Sequence, residues 1–113
     1  MDDMQRLMEF FQAENRRDWG RYRSFLDDKV EWTLHGEETQ RIAGAEAYLE
    51  RIQAAYAGNT DTFRCEKLWR GGGRITALLV NSRGDYSLDL FEFEDGRIRR
   101  EVEFLLGKPE ELE

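Results

Sequence analysis

The chain has 113 residues, the size of one domain with one core. Acidic residues outnumber basic ones 24 to 17, a net charge of -7, which argues against a nucleic-acid partner and against docking on an anionic membrane. Aromatics at 12% argue against disorder.

Met4, Leu7, Met8 and Phe11 recur at helical spacing, with Phe10 and Ala13 beside them, and predict an amphipathic helix over 4–14. Asp18 is a candidate N-cap for a short second helix presenting Trp19, Tyr22, Phe25 and Leu26, ended by Asp27-Asp28. Residues 29–35 alternate strictly. Val30, Trp32 and Leu34 face one way, and Glu31, Thr33 and His35 the other, as in a two-faced strand. A polar loop over 36–40 leads to a brief strand near Arg41-Ile42. Gly44 opens a third helix over about 44–57, with Ala47, Tyr48, Ile52, Ala55 and Tyr56 as its stripe.

Four strands follow, over about 62–70, 74–82, 86–94 and 97–105. Gly71-Gly72-Gly73, Arg83-Gly84-Asp85 and Asp95-Gly96 join them as short glycine-bearing hairpin loops. The tail, with Pro109, Glu110, Glu111 and Glu113, reads as solvated. The order is α-α-β-(β)-α-β-β-β-β over one domain, 1–113. It predicts an α+β fold in which helices pack on one face of a curved, mainly antiparallel sheet.

A single cysteine, Cys65, forms no intrachain disulfide, and a cytoplasmic setting is the simplest expectation. The acidic start Met1-Asp2-Asp3-Met4 lacks a basic segment before an apolar one, so no signal peptide is expected. No apolar run approaches the ~18 residues of a membrane span. With one histidine, His35, no metal site is expected, and no cofactor motif is evident. Arg70-Gly71-Gly72-Gly73 lacks the ending of a phosphate loop and precedes a strand instead of a helix.

Period-2 alternation places Ser87, Asp89, Phe91 and Phe93 on one face of the 86–94 strand. A carboxylate among apolar neighbours is costly to bury, and its pKa rises if it is unpaired, which suits general acid or base work. The competing reading has Leu88 and Leu90 facing the core and Asp89 facing solvent or an arginine, Arg100 or Arg64. His35 is a second candidate acid–base group if its face lines a pocket. Otherwise it sits at the strand rim. Tyr48 and Tyr56, eight residues apart on the third helix, orient a ligand or complete the core. Cys65 reads as a small buried residue. Trp32, Phe91 and Phe10 are candidate pocket aromatics.

The whole chain resembles the nuclear transport factor 2-like (NTF2-like) superfamily, and within it the SnoaL-like group of small bacterial proteins. The resemblance rests on element order and on Asp18-Trp19, Asp27-Asp28, Val30-Glu31-Trp32, Gly36, Ala43-Gly44-Ala45-Glu46-Ala47 and the final hairpin Leu90-Phe91-Glu92-Phe93-Glu94-Asp95-Gly96-Arg97-Ile98. It implies a cone with a mostly apolar pocket, a small apolar ligand and a homodimer. The sheet face turned away from the helices, with Leu78, Val80, Leu88 and Leu90, would supply the dimer patch. In the ketosteroid isomerases and SnoaL-type cyclases of this superfamily, an acidic residue sits four positions before the strand-ending aromatic. With Phe93 as that aromatic, the position is Asp89. The isomerase's proton-shuttling aspartate falls at Thr33 and its first-helix tyrosine at Phe10, so the resemblance does not carry the steroid-isomerase mechanism. It leaves isomerase, dehydratase, cyclase or hydrolase chemistry at Asp89 and His35, with Tyr48, Tyr56, Trp32, Thr33, Phe91 and Phe10 as ligand contacts. The other reading is a non-catalytic binding or dimerisation module.

Overall fold

The structure, a computed structural model, describes residues 1–112. Glu113, the last residue of the expected solvated tail, lies outside them. The elements are α1 (Asp3–Arg16), α2 (Trp19–Ser24), β1 (Leu26–His35), β2 (Thr39–Ala43), α3 (Ala45–Tyr56), β3 (Phe63–Gly71), β4 (Arg74–Asn81), β5 (Tyr86–Glu94) and β6 (Arg97–Gly107). The fold is α+β, and the six strands form one sheet in the order β2-β1-β6-β5-β4-β3. All pairs are antiparallel except β1 with β6. No helix among the described residues is long and apolar enough to cross a membrane.

Local chemistry sets the element ends. Asp2 caps α1 by accepting the Gln5 N–H, and the Gln5 side chain answers the Asp2 N–H, a reciprocal capping box. Arg17 ends α1 in a left-handed conformation, φ 59°. Asp18 caps α2 by accepting the Arg21 N–H. Asp95 and Gly96 both take positive φ, as a two-residue hairpin whose twist matches its strands requires.

Asp27-Asp28 does not close α2 as expected. The helix stops at Ser24, and β1 begins at Leu26, whose partner is Ile98. The ladder then slips before resuming at Glu31–Arg100, and the two aspartates occupy that irregular stretch. The stripe of α3 also differs. Ala45, Tyr48 and Ile52 are buried, while Ala47 and Ala55 are exposed. That stripe follows one helical face at i, i+3 and i+7, and Ala47 lies off it, whereas Ala55 continues the stripe but is exposed at the cavity wall.

The core lies between the helices and one sheet face. Phe10 stacks on Tyr22 with ring centroids 4.1 Å apart and meets Phe25 and Phe91 edge-on. The other sheet face carries Leu78, Leu88, Leu90 and Val102, all half-buried, and the exposed Phe104. Val80, expected in that open patch, is buried. Its cross-strand partners are Arg64 and Tyr86, whose long side chains share its face.

One tie between layers comes from a side chain. Asn15, at the end of α1, accepts the Phe63 N–H at 2.9 Å and donates to the Phe63 carbonyl at 2.8 Å. It thereby acts as a strand partner for the start of β3. Asn15→Ala leaves both backbone groups without that partner, and a loss of about 1–3 kcal/mol is expected in urea unfolding. A change below ~0.5 kcal/mol would mean water replaces the amide at no cost.

Candidate active site

The parallel pairing of β1 with β6 builds the site. It sets Trp32 beside Glu101 and Leu34 beside Glu103. On the other side of β6, Phe91 lies opposite Glu101, and Asp89 opposite Glu103. Side chains alternate across a strand, so Trp32, Leu34, Glu101, Glu103, Phe91, Asp89 and Ser87 share the face turned toward the helices. Phe10, Phe11 and Glu14 reach the same space from α1, and Tyr48 and Tyr56 from α3. Together they line a cavity of about 260 Å³, room for roughly nine waters' worth of liquid. Asp61, Thr62, Asn81, Arg83 and Asp85 also contribute to its walls.

Four carboxyl groups meet here. Asp89 and Glu101 are each 3% exposed. Oxygens of Asp89, Glu101 and Glu103 all lie within 4.8 Å of one another. Ser87 donates to Asp89 at 2.7 Å, and the Tyr48 hydroxyl donates to Glu101. Glu14 accepts the Tyr22 hydroxyl at 2.8 Å and also that of Tyr56. Among the described residues, no lysine or arginine forms a salt bridge with Asp89, Glu101 or Glu103.

Burial raises all four pKa values, and it outweighs the attraction of Arg17 on Glu14 and of Arg51 on Glu103. Loss of water pushes Asp89 up to about 6, held back by the Ser87 hydroxyl and by a proton shared with Glu101. Burial pushes Glu101 well above the carboxylate range, and the neighbouring charges of Asp89 and Glu103 push it further. Glu103 is raised in the same way, first by burial and then by Asp89 and Glu14. Burial lifts Glu14 to about 7, against the pull of its two tyrosine hydroxyls. Three carboxylates so close have the donor type of a hard divalent-cation site. The Ser87 and Tyr48 hydroxyls already directed at two of them suit a hydrogen-bonded acid set instead.

Asp89, Trp32, Tyr48, Tyr56, Phe91 and Phe10 all line this cavity. Thr33 and His35 do not. They lie on the opposite face of β1, because Val30, Trp32 and Leu34 take the helix side. His35 stacks on Phe104 with centroids 4.9 Å apart and contacts the Thr39 hydroxyl at 3.2 Å. The convergence of His35 with Asp89 is therefore ruled out, and so is a pocket role for Thr33. Arg100 pairs with Glu92 and Arg64 with Glu66, so neither arginine neutralises Asp89. Cys65 donates to the Lys67 carbonyl and stands apart from the histidine.

Sequence reasoning missed Glu14, Tyr22, Glu101 and Glu103. Two signals were available. Glu14 follows Phe10 and Phe11 by four and three residues, so it shares their helix face. In β6, Glu101 and Glu103 alternate with Val102 and Phe104, as Asp89 alternates with Leu88 and Leu90 in β5. Matching patterns on paired strands mark one shared acidic face.

No family model and no curated protein matches the sequence. Solved structures do match. A candidate ketosteroid isomerase from Kribbella flavida superposes with a TM-score of 0.84 at 19% identity, over 98% of this chain and 82% of that one. An NTF2-like protein of unknown function from Burkholderia xenovorans gives 0.81 at 16% identity, over 98% and 87%. A candidate SnoaL-like polyketide cyclase from Jannaschia gives 0.78 at 13% identity, over 90% and 83%. The chain has the NTF2-like fold.

Proposed function

We propose that this protein is a small-molecule enzyme whose own carboxyl groups move protons on a mostly apolar substrate. The observation that carries this reading is the set of four buried carboxyl groups in one cavity, none of them in a salt bridge among the described residues, with the proton shared by Asp89 and Glu101 lowering the first pKa and raising the second. Asp89, ionised above about pH 6, is the base. Glu101, held protonated by burial and by its neighbours' charge, is the acid that returns the proton. Tyr48 fixes the orientation of Glu101, and Phe10, Phe91 and Trp32 supply apolar walls. Isomerisation, dehydration, cyclisation and hydrolysis all use such a pair. Two structural neighbours carry the names of an isomerase and a cyclase. The proposal includes a homodimer across the open sheet face, supported by Leu78, Leu88, Leu90, Val102 and Phe104. Sedimentation at a two-copy mass is expected, and a monomer at micromolar concentration removes that part.

The reaction is tested with 5-nitrobenzisoxazole, a flat apolar probe. A base takes its ring C–H proton, the N–O bond breaks, and the electron pair leaves on oxygen as a coloured phenolate. A desolvated carboxylate speeds this step strongly, whereas hydrated acetate does so weakly. The expected rate exceeds that of acetate at equal concentration and rises with pH through about 6, as Asp89 ionises. A rate no greater than acetate's overturns the reading and favours a binding module.

A further inference from the structure

Among the described residues, Trp32 Nε1 is the buried side-chain nitrogen or oxygen that lacks a hydrogen-bond partner. Trp32 is 4% exposed, lines the cavity and lies against Tyr48, with ring centroids 4.6 Å apart. An indole N–H can only donate. Leaving a buried donor unpaired costs as much as losing a hydrogen bond, so such an atom in a cavity wall calls for an acceptor from a guest. Glu103 faces it. The indole lies close enough to favour the ionised form of Glu103, but the two do not close a hydrogen bond.

The groups around this gap restrict the guest. The cavity lining carries six carboxyls against two guanidinium groups, Arg51 and Arg83, so the balance disfavours an anion. An ammonium group or a metal ion has no lone pair to offer the indole N–H. A carbonyl oxygen accepts from Trp32, and from Glu103 only while that group is protonated, so it loses this partner once Glu103 ionises. A hydroxyl keeps both partners, since its oxygen accepts from the indole and its hydrogen is donated to the carboxylate. If Glu103 is protonated, the same hydroxyl accepts from the acid or donates to its carbonyl oxygen.

We infer that Trp32 and Glu103 form the anchor for a hydroxyl group, and that the ligand of this pocket is a small neutral alcohol with an apolar body. This rests on the acid–base reading of the same cavity and narrows its substrate. An anchored hydroxyl lies within the carboxyl cluster, where either its own proton or one on a neighbouring carbon is within the reach of the acid set.

The test uses one ring with four different groups: cyclohexanol, cyclohexanone, cyclohexylamine and cyclohexanecarboxylate. Each is titrated into the ¹⁵N-labelled protein. The Trp32 indole signal is distinguished from those of Trp19 and Trp69 by its loss in Trp32→Phe. Cyclohexanol is expected to shift that signal downfield saturably and to bind most tightly of the four. Trp32→Phe and Glu103→Leu are each expected to weaken cyclohexanol binding by roughly 3–10-fold, the value of one hydrogen bond. Two variants are used because either one alone could disturb packing. Equal or tighter binding of the ketone, amine or carboxylate overturns the inference. So does a matching shift from Mg²⁺ alone, or no saturable shift at all. Elimination of 5-nitrobenzisoxazole by the unaltered protein is read separately. If elimination proceeds and cyclohexanol does not bind, the anchor is wrong and the base stands. If cyclohexanol binds and elimination fails, the base is wrong and the anchor stands.

Discussion

Asp89→Asn is expected to slow 5-nitrobenzisoxazole elimination by roughly 10²–10⁴-fold, the usual worth of a positioned general base. That is about 3–5 kcal/mol of transition-state stabilisation. The substitution keeps the side-chain shape and leaves an amide oxygen for the Ser87 hydroxyl, which now meets Asp89 at 2.7 Å. It removes the group that accepts the proton. Unfolding does not explain such a loss, because deleting a buried charge that has no cationic partner does not weaken the fold. At pH 8 the variant is expected to be at least as stable as the parent. Glu101→Gln should cost less in this assay. The phenolate leaves without needing a strong acid, and the base remains. Full activity in Asp89→Asn would move the base to Glu14, which is pushed up to about 7 in the same cavity.

Much of the fold was legible because its signals are local. Helical spacing in α1, alternation in β1 and the glycine-bearing hairpins each depend on neighbouring residues. The parallel contact of β1 with β6 joins residues about 70 positions apart and leaves no local mark. That contact decides the site. It sets Trp32 beside Glu101 and turns Thr33 and His35 away. Asp89 was legible because a carboxyl among apolar neighbours is anomalous on its own strand. Glu101 and Glu103 were not singled out, because Glu-Val-Glu-Phe reads equally well as a solvent face opposite a core face. Here the inversion is real: the acids face the cavity and Val102 and Phe104 face outward. Asp27-Asp28 misled because polar pairs usually end helices, whereas here they fill a slip in the ladder.

The same carboxyls predict an unusual dependence of stability on pH. Asp89 moves from 3.8 unfolded to about 6 folded, and Glu14 from 4.5 to about 7. Between those values the folded protein holds more protons than the unfolded chain. Stability therefore falls as pH rises. The contribution is complete below pH ~4 and is lost progressively as pH climbs through 6 and 7. Glu101 and Glu103 add to the decline, because burial and neighbouring charge raise both well above the carboxylate range. Each shift of about two units is worth on the order of 3 kcal/mol, shared among coupled groups. A melting temperature lower by on the order of 10 °C at pH 8 than at pH 5 is expected by scanning calorimetry. Below about pH 4 the trend reverses. Asp28 is held below the usual carboxylate range by Arg23, and Asp85 by Lys108 and Arg83, so protonation removes their attraction. The maximum should lie near pH ~4. Glu101→Gln separates this account from a general charge effect. Gln keeps an oxygen for the Tyr48 hydroxyl but cannot ionise. The variant should match the parent within about 1 kcal/mol at pH 5 and exceed it by roughly 1–3 kcal/mol at pH 8. A parent profile that is flat from pH 5 to 8 would mean that the cavity carboxyls are neutralised, and it would remove the acid–base pair with them.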